Sequence, residues 1–284
     1  MVAGNFESWQ AHMFGLKNLL AMRGGLHKHD LIRDAVLECD TVGAAIFSVP
    51  PFLVEYMDLE DGIAEYDQAN LPYEFISIDP HLRQTFAAMR SLSSMMESSL
   101  MPRRMRGGLD KTAFADFAER RSIIDYRLLT MGPEEDAEAD EDADSSTFAT
   151  NMLIVAAQIF IYLVFRKMTP STLIHHNLGQ RLRAVILAFD QHASSQHATC
   201  LLLWASVMGC FATRPGALRL WFLGWVSHCV SELDLCELSD LKYQLGKVVW
   251  IEGILGGMCD QVWRELEEMG RIGVEVRFAG DGES

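Results

Sequence analysis

Positive charge is scarce in this sequence. Its 284 residues hold 24 lysines and arginines against 39 aspartates and glutamates, a net charge of -15. A chain of that sign repels a phosphate backbone, so its overall field excludes nucleic-acid binding by bulk attraction. Paired cysteines are missing too. The six present (Cys39, Cys200, Cys210, Cys229, Cys236 and Cys259) form no C-x-x-C pair and no tight cluster beside basic residues. That excludes a binuclear zinc cluster within these residues and reads as buried free thiols in a reducing compartment. The opening MVAGNFESWQ has no basic start followed by an apolar run, so no secretory signal is expected. The longest apolar runs, 152–165 and 198–212, fall short of the about 20 residues of a membrane span. Buried core helices are expected there, and no membrane partner.

Catalytic signatures are absent as well. There is no G-x-S-x-G and no H-E-x-x-H, and GILGGM at 253–258 lacks the preceding strand and final lysine of a phosphate-binding loop. His27 and His29, the pair His175 and His176, and His192 with His197 are candidate ligands by residue type. Their positions in turns and at helix ends make exposed or helix-terminal histidine the expectation. No catalytic residue, metal site or cofactor follows, and the chain is expected not to be an enzyme.

What the sequence does have is apolar residues, 49% of the chain, arranged at helical spacing. Phe6, Trp9, Met13, Leu16 and Leu20 draw one stripe down an opening helix, which Gly24 and Gly25 end, with Arg23 in the last turn. Asp30 starts a second helix, which Pro50-Pro51 stops. Residues 50–78 read as a long connection with one helical turn near 53–59. Asp79-Pro80 starts a third helix, with Leu82, Phe86, Met89 and Leu92 on its apolar face. Arg103, Arg104 and Arg106 precede a second MRGGL string at 105–109, read as a solvated turn. Asp110 opens a fourth helix, with Phe114, Phe117, Arg121, Ile124 and Leu128 on one side. Eight of residues 134–146 are acidic, too polar to bury surface, so a disordered acidic insert is expected there.

Beyond it, Thr147 starts a helix to Met168 and Thr169-Pro170 another, with Leu178, Leu182, Val185 and Phe189 inward. A helix from about His197 to Ala212 is apolar all round and should be central. Leu218, Trp221, Trp225 and Cys229 line the next. Ser239 caps a helix over 240–252, and Gly253, Gly256 and Gly257 loosen the chain before a final one. The alternating piece 272–278 has no partner strand and is expected to fray. The sum is an all-α irregular bundle of roughly nine to ten helices. It forms one domain over 1–271, with the insert at 134–146 and a tail at 272–284. Trp204, Trp221, Trp225 and Trp250 are candidates for an apolar pocket, although such residues at this spacing mostly build core.

The wording of the opening helix is more specific than its period. WQAHMFGLKNLLAMRGGL resembles the hallmark segment of the regulatory domain of fungal-specific zinc-cluster transcription factors, of the form H-x-x-G-L-x-x-L-x-x-x-R-G-G. The matching positions are His12, Gly15, Leu16, Leu19, Arg23, Gly24 and Gly25. CLLLWASVMGCFA (200–212), RLWFL (219–223), VVWIEG (248–253) and VWREL (262–266) are similar to that family's later helices. The resemblance implies a helical transcription-regulatory domain acting through protein interaction or effector sensing, located in the nucleus, or in the cytoplasm since no basic import signal is evident. Its zinc cluster is not in this sequence, so no direct nucleic-acid contact is expected. The implied partners are proteins of the transcription machinery or a second copy of the chain, and an apolar small-molecule effector. With the hallmark helix standing first, its stripe is expected to pack on the late helices between Cys200 and Leu266.

Overall fold

A computed structural model describes residues 6–26, 30–59, 71–100, 111–132, 145–170, 172–192 and 199–280, the stretch 271–280 by its backbone alone. Among them are ten α-helices and no strand: α1 (Phe6–Met22), α2 (Asp30–Phe47), α3 (Pro80–Leu100), α4 (Lys111–Thr130), α5 (Ser145–Phe160), α6 (Leu173–His192), α7 (Thr199–Ala212), α8 (Ala217–Glu232), α9 (Leu238–Val248) and α10 (Glu252–Gly280). A π-helical turn, Ile161–Phe165, prolongs α5, and short 3-10 turns cover Val54–Tyr56 and Tyr73–Ser77. The fold is all-α, as the periodicity implies. His27, His29, His197, Asp110, the arginines and MRGGL string of 103–109, and residues 134–144 of the acidic insert lie outside the described residues. So do the side chains of Asp30, Phe114 and His192.

Local chemistry explains several helix ends. Asp79 caps α3 by accepting from the backbone N–H of His81 at 2.8 Å and of Leu82 at 3.0 Å. Leu82, Phe86, Met89 and Leu92 are buried, as their spacing requires. At the end of α1 the Gly25 N–H donates to the Leu20 carbonyl at 2.9 Å and the Gly24 N–H to that of Ala21 at 3.4 Å. Gly24 and Gly25 have φ of 85° and 96°. This is a Schellman closure, which a side chain at Gly24 would strain.

The core centres on α5 and α7. Every residue from Met152 to Phe165 and from Cys200 to Ala212 is buried. α6 packs along α5, α8 along α7, and α9 and α10 close the far side of α7. By length and composition Ser146–Phe165 is apolar enough to cross a membrane, which run 152–165 alone did not suggest, but 83% of its apolar 18-residue window is buried against the protein's own helices. Gly209 permits the α7–α8 contact: a Cβ there would lie 2.4 Å from the Phe222 ring. Met13 and Leu20 of α1, Leu26, Val36 and Leu37 of α2, Leu53 and Tyr126 form a second, smaller apolar cluster.

Several expectations are corrected. The α1 stripe packs on α2 and the 52–59 connection, not on the late helices, because the chain doubles back at Pro50-Pro51 and lays Leu53 against it. α5 starts at Ser145, not Thr147. The inward face of α8 is Phe222, Leu223, Val226 and Cys229, with Leu218, Trp221 and Trp225 half-buried on its flank. Glu237, not Ser239, caps α9, in a capping box with Asp240. That helix stops at Val248 because Val249 is extended (φ -157°, ψ 134°), in a run whose β-branched residues suit that conformation. Gly253, Gly256 and Gly257 lie inside α10, which also carries the alternating piece 272–278 as helix. Of the six free thiols, Cys39 and Cys236 are exposed and the other four buried.

Candidate functional site

Three consecutive residues of α4, Asp125, Tyr126 and Arg127, are buried although all are polar. Successive helical side chains diverge by about 100°, so the three reach into three different contacts. Asp125 takes the guanidinium of Arg166, with Nε to Oδ2 at 2.7 Å and a second short bond from the same side chain. The side chains are 0% and 2% exposed, a buried ion pair. Arg166 also donates to Thr41 Oγ1 at 2.6 Å and lies 3.7 Å from Glu38. Burial opposes the Arg166 charge most strongly, but Asp125, Tyr162 and Glu38 together outweigh it and raise the pKa.

The π turn makes this possible. The Arg166 N–H bonds the Ile161 carbonyl at 2.9 Å, one residue wider than α-helical spacing. Tyr162 in that turn donates to the Thr41 carbonyl at 3.1 Å, so α2 and the end of α5 are tied twice at Thr41. Burial raises the Tyr162 hydroxyl well above the usual phenol value, with the Asp125 carboxylate adding to it.

Tyr126 donates to Asp40 Oδ2 at 2.8 Å. Asp40 also accepts from the backbone N–H groups of Phe52 (2.9 Å) and Leu53 (2.8 Å), which pins the connection after Pro50-Pro51 to α2. Burial raises the Asp40 carboxyl despite these donors, and raises the Tyr126 hydroxyl.

Arg127, 2% exposed, faces the other way. It donates to the carbonyls of Leu59 (2.7 Å) and His81 (3.4 Å) and to Gln84 Oε1 (3.5 Å). Beside it is a cavity of about 810 Å³, framed by the start of α3, the end of α4 and the start of α5. Arg83, Arg127, His81 and Thr150 line it together with Ile78 and Ile154. The size is that of a small-molecule site, on the order of 300–1,000 Å³. A smaller cavity of about 350 Å³ lies between the start of α6 and the α7–α8 turn.

The sequence-marked residues are spread out. In α1, His12, Gly15, Leu19 and Arg23 are exposed and Leu16 is half-buried. Trp204 is fully buried, stacks edge-on to Phe86 and donates to the Val249 carbonyl at 2.9 Å. Trp221 and Trp225 meet at 6.1 Å on the flank of α8, with the Arg183 guanidinium 5.6 Å from the Trp221 ring. Trp250 donates to Glu252 at 2.8 Å and sits against Phe211. None of the four lines either cavity. His175 is buried beside Thr172 Oγ1 at 2.7 Å, and burial lowers its pKa to about 4. Among the described residues no three His, Cys, Asp or Glu side chains gather as a metal site. Sequence reasoning missed Asp40, Asp125, Tyr126, Arg127 and Arg166. The available signal was the polar triplet DYR set inside the apolar run SIIDYRLL.

The fold so described is an all-α domain with two central helices buried over 152–160 and 200–212 and a polar junction at α4. The chain belongs to the family of fungal specific transcription factor domains, whose model matches residues 1–235, from α1 through α8. No curated protein and no solved structure matches it. The family membership gives the chain a transcription-factor-related regulatory role, and the nucleus as its place by resemblance.

Proposed function

We propose that this chain is an effector-sensing regulatory domain, in which a small molecule in the α3–α4–α5 cavity biases how α1 and α2 sit on the core. Its output is contact with proteins of the transcription machinery or with a second copy of the chain, made in the nucleus. The domain carries no catalysis and touches no nucleic acid in this reading.

The carrying observation is the buried triplet of α4. Arg127 belongs to the cavity, Tyr126 holds the α2 side through Asp40, and Asp125 holds the π turn through Arg166. A shift of α4 by a fraction of an ångström at Arg127 is felt at both other contacts, since packed interiors do not deform continuously. Regulation of this kind requires an effector with different affinity for two packings.

The test is a fusion of the full chain to a heterologous DNA-binding module, with a reporter in a fungal host. Thr147 is exposed and lines the cavity, so Thr147→Trp fills it from the surface of α5. The expected outcome is reporter output locked at one level and insensitive to growth medium, with unchanged thermal stability. A reporter that responds identically in the filled variant and the parent overturns the reading.

A further inference from the structure

We propose that the α3–α4–α5 cavity binds an organic oxyanion, its carboxylate or phosphate held by Arg83 and Arg127 and its apolar body lying against Ile76, with Ile78 and Ile154 behind it. This rests on the effector-site reading above and names the chemical class of the effector.

The sign of the cavity is the first support. In a chain of net charge -15, two arginines line it against one carboxylate, Asp79. That carboxylate is already engaged, its Oδ1 accepting the first two N–H groups of α3. The acidic exterior repels stray anions, so an anion that stabilises this protein does so at a built site and not by general condensation.

The second support is preorganisation. The Arg127 guanidinium is held by the Leu59 carbonyl and by His81 and Gln84, in a position that is 2% exposed. A fixed planar fork loses little further entropy on meeting a carboxylate or phosphate. Arg83 adds a buried Nε–H with no acceptor among the described residues, a donor an oxyanion can satisfy.

The third is the mixed wall. Ile78 and Ile154 back the cavity and are already buried, while Ile76 beside them is 62% exposed, so an apolar body gains by covering that side chain. A bare inorganic ion leaves that wall unused, and a neutral apolar molecule leaves the guanidinium side unmatched. A volume of about 810 Å³ admits a body of several carbons with its charged head.

The experiment measures thermal unfolding of the full chain at constant ionic strength with hexanoate, hexanamide or inorganic phosphate. Hexanoate at about a hundredfold excess over its Kd raises the melting temperature by roughly 5 °C. The amide and phosphate do not. Arg83→Gln, at a half-exposed position, melts as the parent does without ligand and binds hexanoate about tenfold more weakly. Equal stabilisation by hexanamide overturns the charge assignment, and equal stabilisation by phosphate overturns the apolar half. If none of the three acts while Thr147→Trp still locks the reporter, the oxyanion assignment falls and the effector site stands. If Thr147→Trp is silent as well, both fall.

Discussion

His175 and the polar groups of α4 show how burial is made tolerable residue by residue. Asp125 is matched by a guanidinium, Asp40 by three donors, and Tyr162 by a carbonyl. Such groups add little net stability, but removing one partner strands the other at a cost of several kcal/mol. His175 solves the problem by staying neutral, its pKa lowered to about 4 by burial. The unfolded histidine has the usual value of about 6.5. Between these values the unfolded chain takes a proton that the folded chain refuses. The contribution of His175 is therefore intact above pH 6.5 and lost as pH falls toward 4, at up to about 1 kcal/mol per pH unit. Urea midpoints of the parent and His175→Gln, measured from pH 7.5 to 4.5, check this. The stability advantage of the parent is expected to shrink steadily below pH 6.5, while a difference that does not vary with pH contradicts the assignment.

At the scale of elements, α1 is held by a narrow contact. The Trp9 indole lies directly over Gly43 of α2, so close that a Cβ there would sit 2.0 Å from its Nε1. The same nitrogen donates to the Cys39 carbonyl at 3.3 Å, and Phe47 and Phe52 complete the aromatic surround. Gly43→Ala must push the indole out. We expect a loss of roughly 1–3 kcal/mol in chemical denaturation, with a red-shifted tryptophan emission from Trp9 already in the native state. Unchanged emission would mean that α1 docks by other contacts. The later helices are tied differently, through arginines. Arg219 on α8 grips Glu265 of α10 with two bonds at 2.8 and 3.1 Å and also donates to the end of α7. Arg90 of α3 donates to the last carbonyls of α9. These side chains take up carbonyls at the ends of α7 and α9, at α7 in addition to the bonds that Thr213 makes there.

The whole molecule has an uneven distribution of stability as a result. α5 and α7 are walled in by other helices, whereas α1 touches chiefly α2 and the connection, and exposes Phe14 and Met22 at 52% and 80%. Native-state hydrogen exchange is expected to be slowest for the amides of 152–165 and 201–211. Those of α1 are expected to open at a free energy several kcal/mol lower. Uniform protection across both regions would deny that α1 opens independently of the core. The family match ends at residue 235, yet α9 and α10 both pack on α7, whose Trp204 donates to the carbonyl of Val249 just after α9. The closing helices are thus part of one core with the matched region.

Helix existence was legible in the sequence because it depends on neighbours within a turn or two. The Asp79 cap, the Gly24-Gly25 stop and the all-round apolarity of 200–212 each carry their own explanation, and each stands in the structure where the residues place it. The family was legible for the same reason, in the contiguous wording of the opening helix. Which surface α1 covers was not legible, since its stripe fits any apolar partner and the return of the chain at Pro50-Pro51 made the choice. Nor was the α4 junction: Asp125 and Arg166 are 41 positions apart, Tyr126 and Asp40 86. Read along the chain, Asp125, Tyr126 and Arg127 are polar interruptions of an apolar run. Only packing, which brings a guanidinium, a carboxylate and a cavity to the three sides of one helix, turns them into a site.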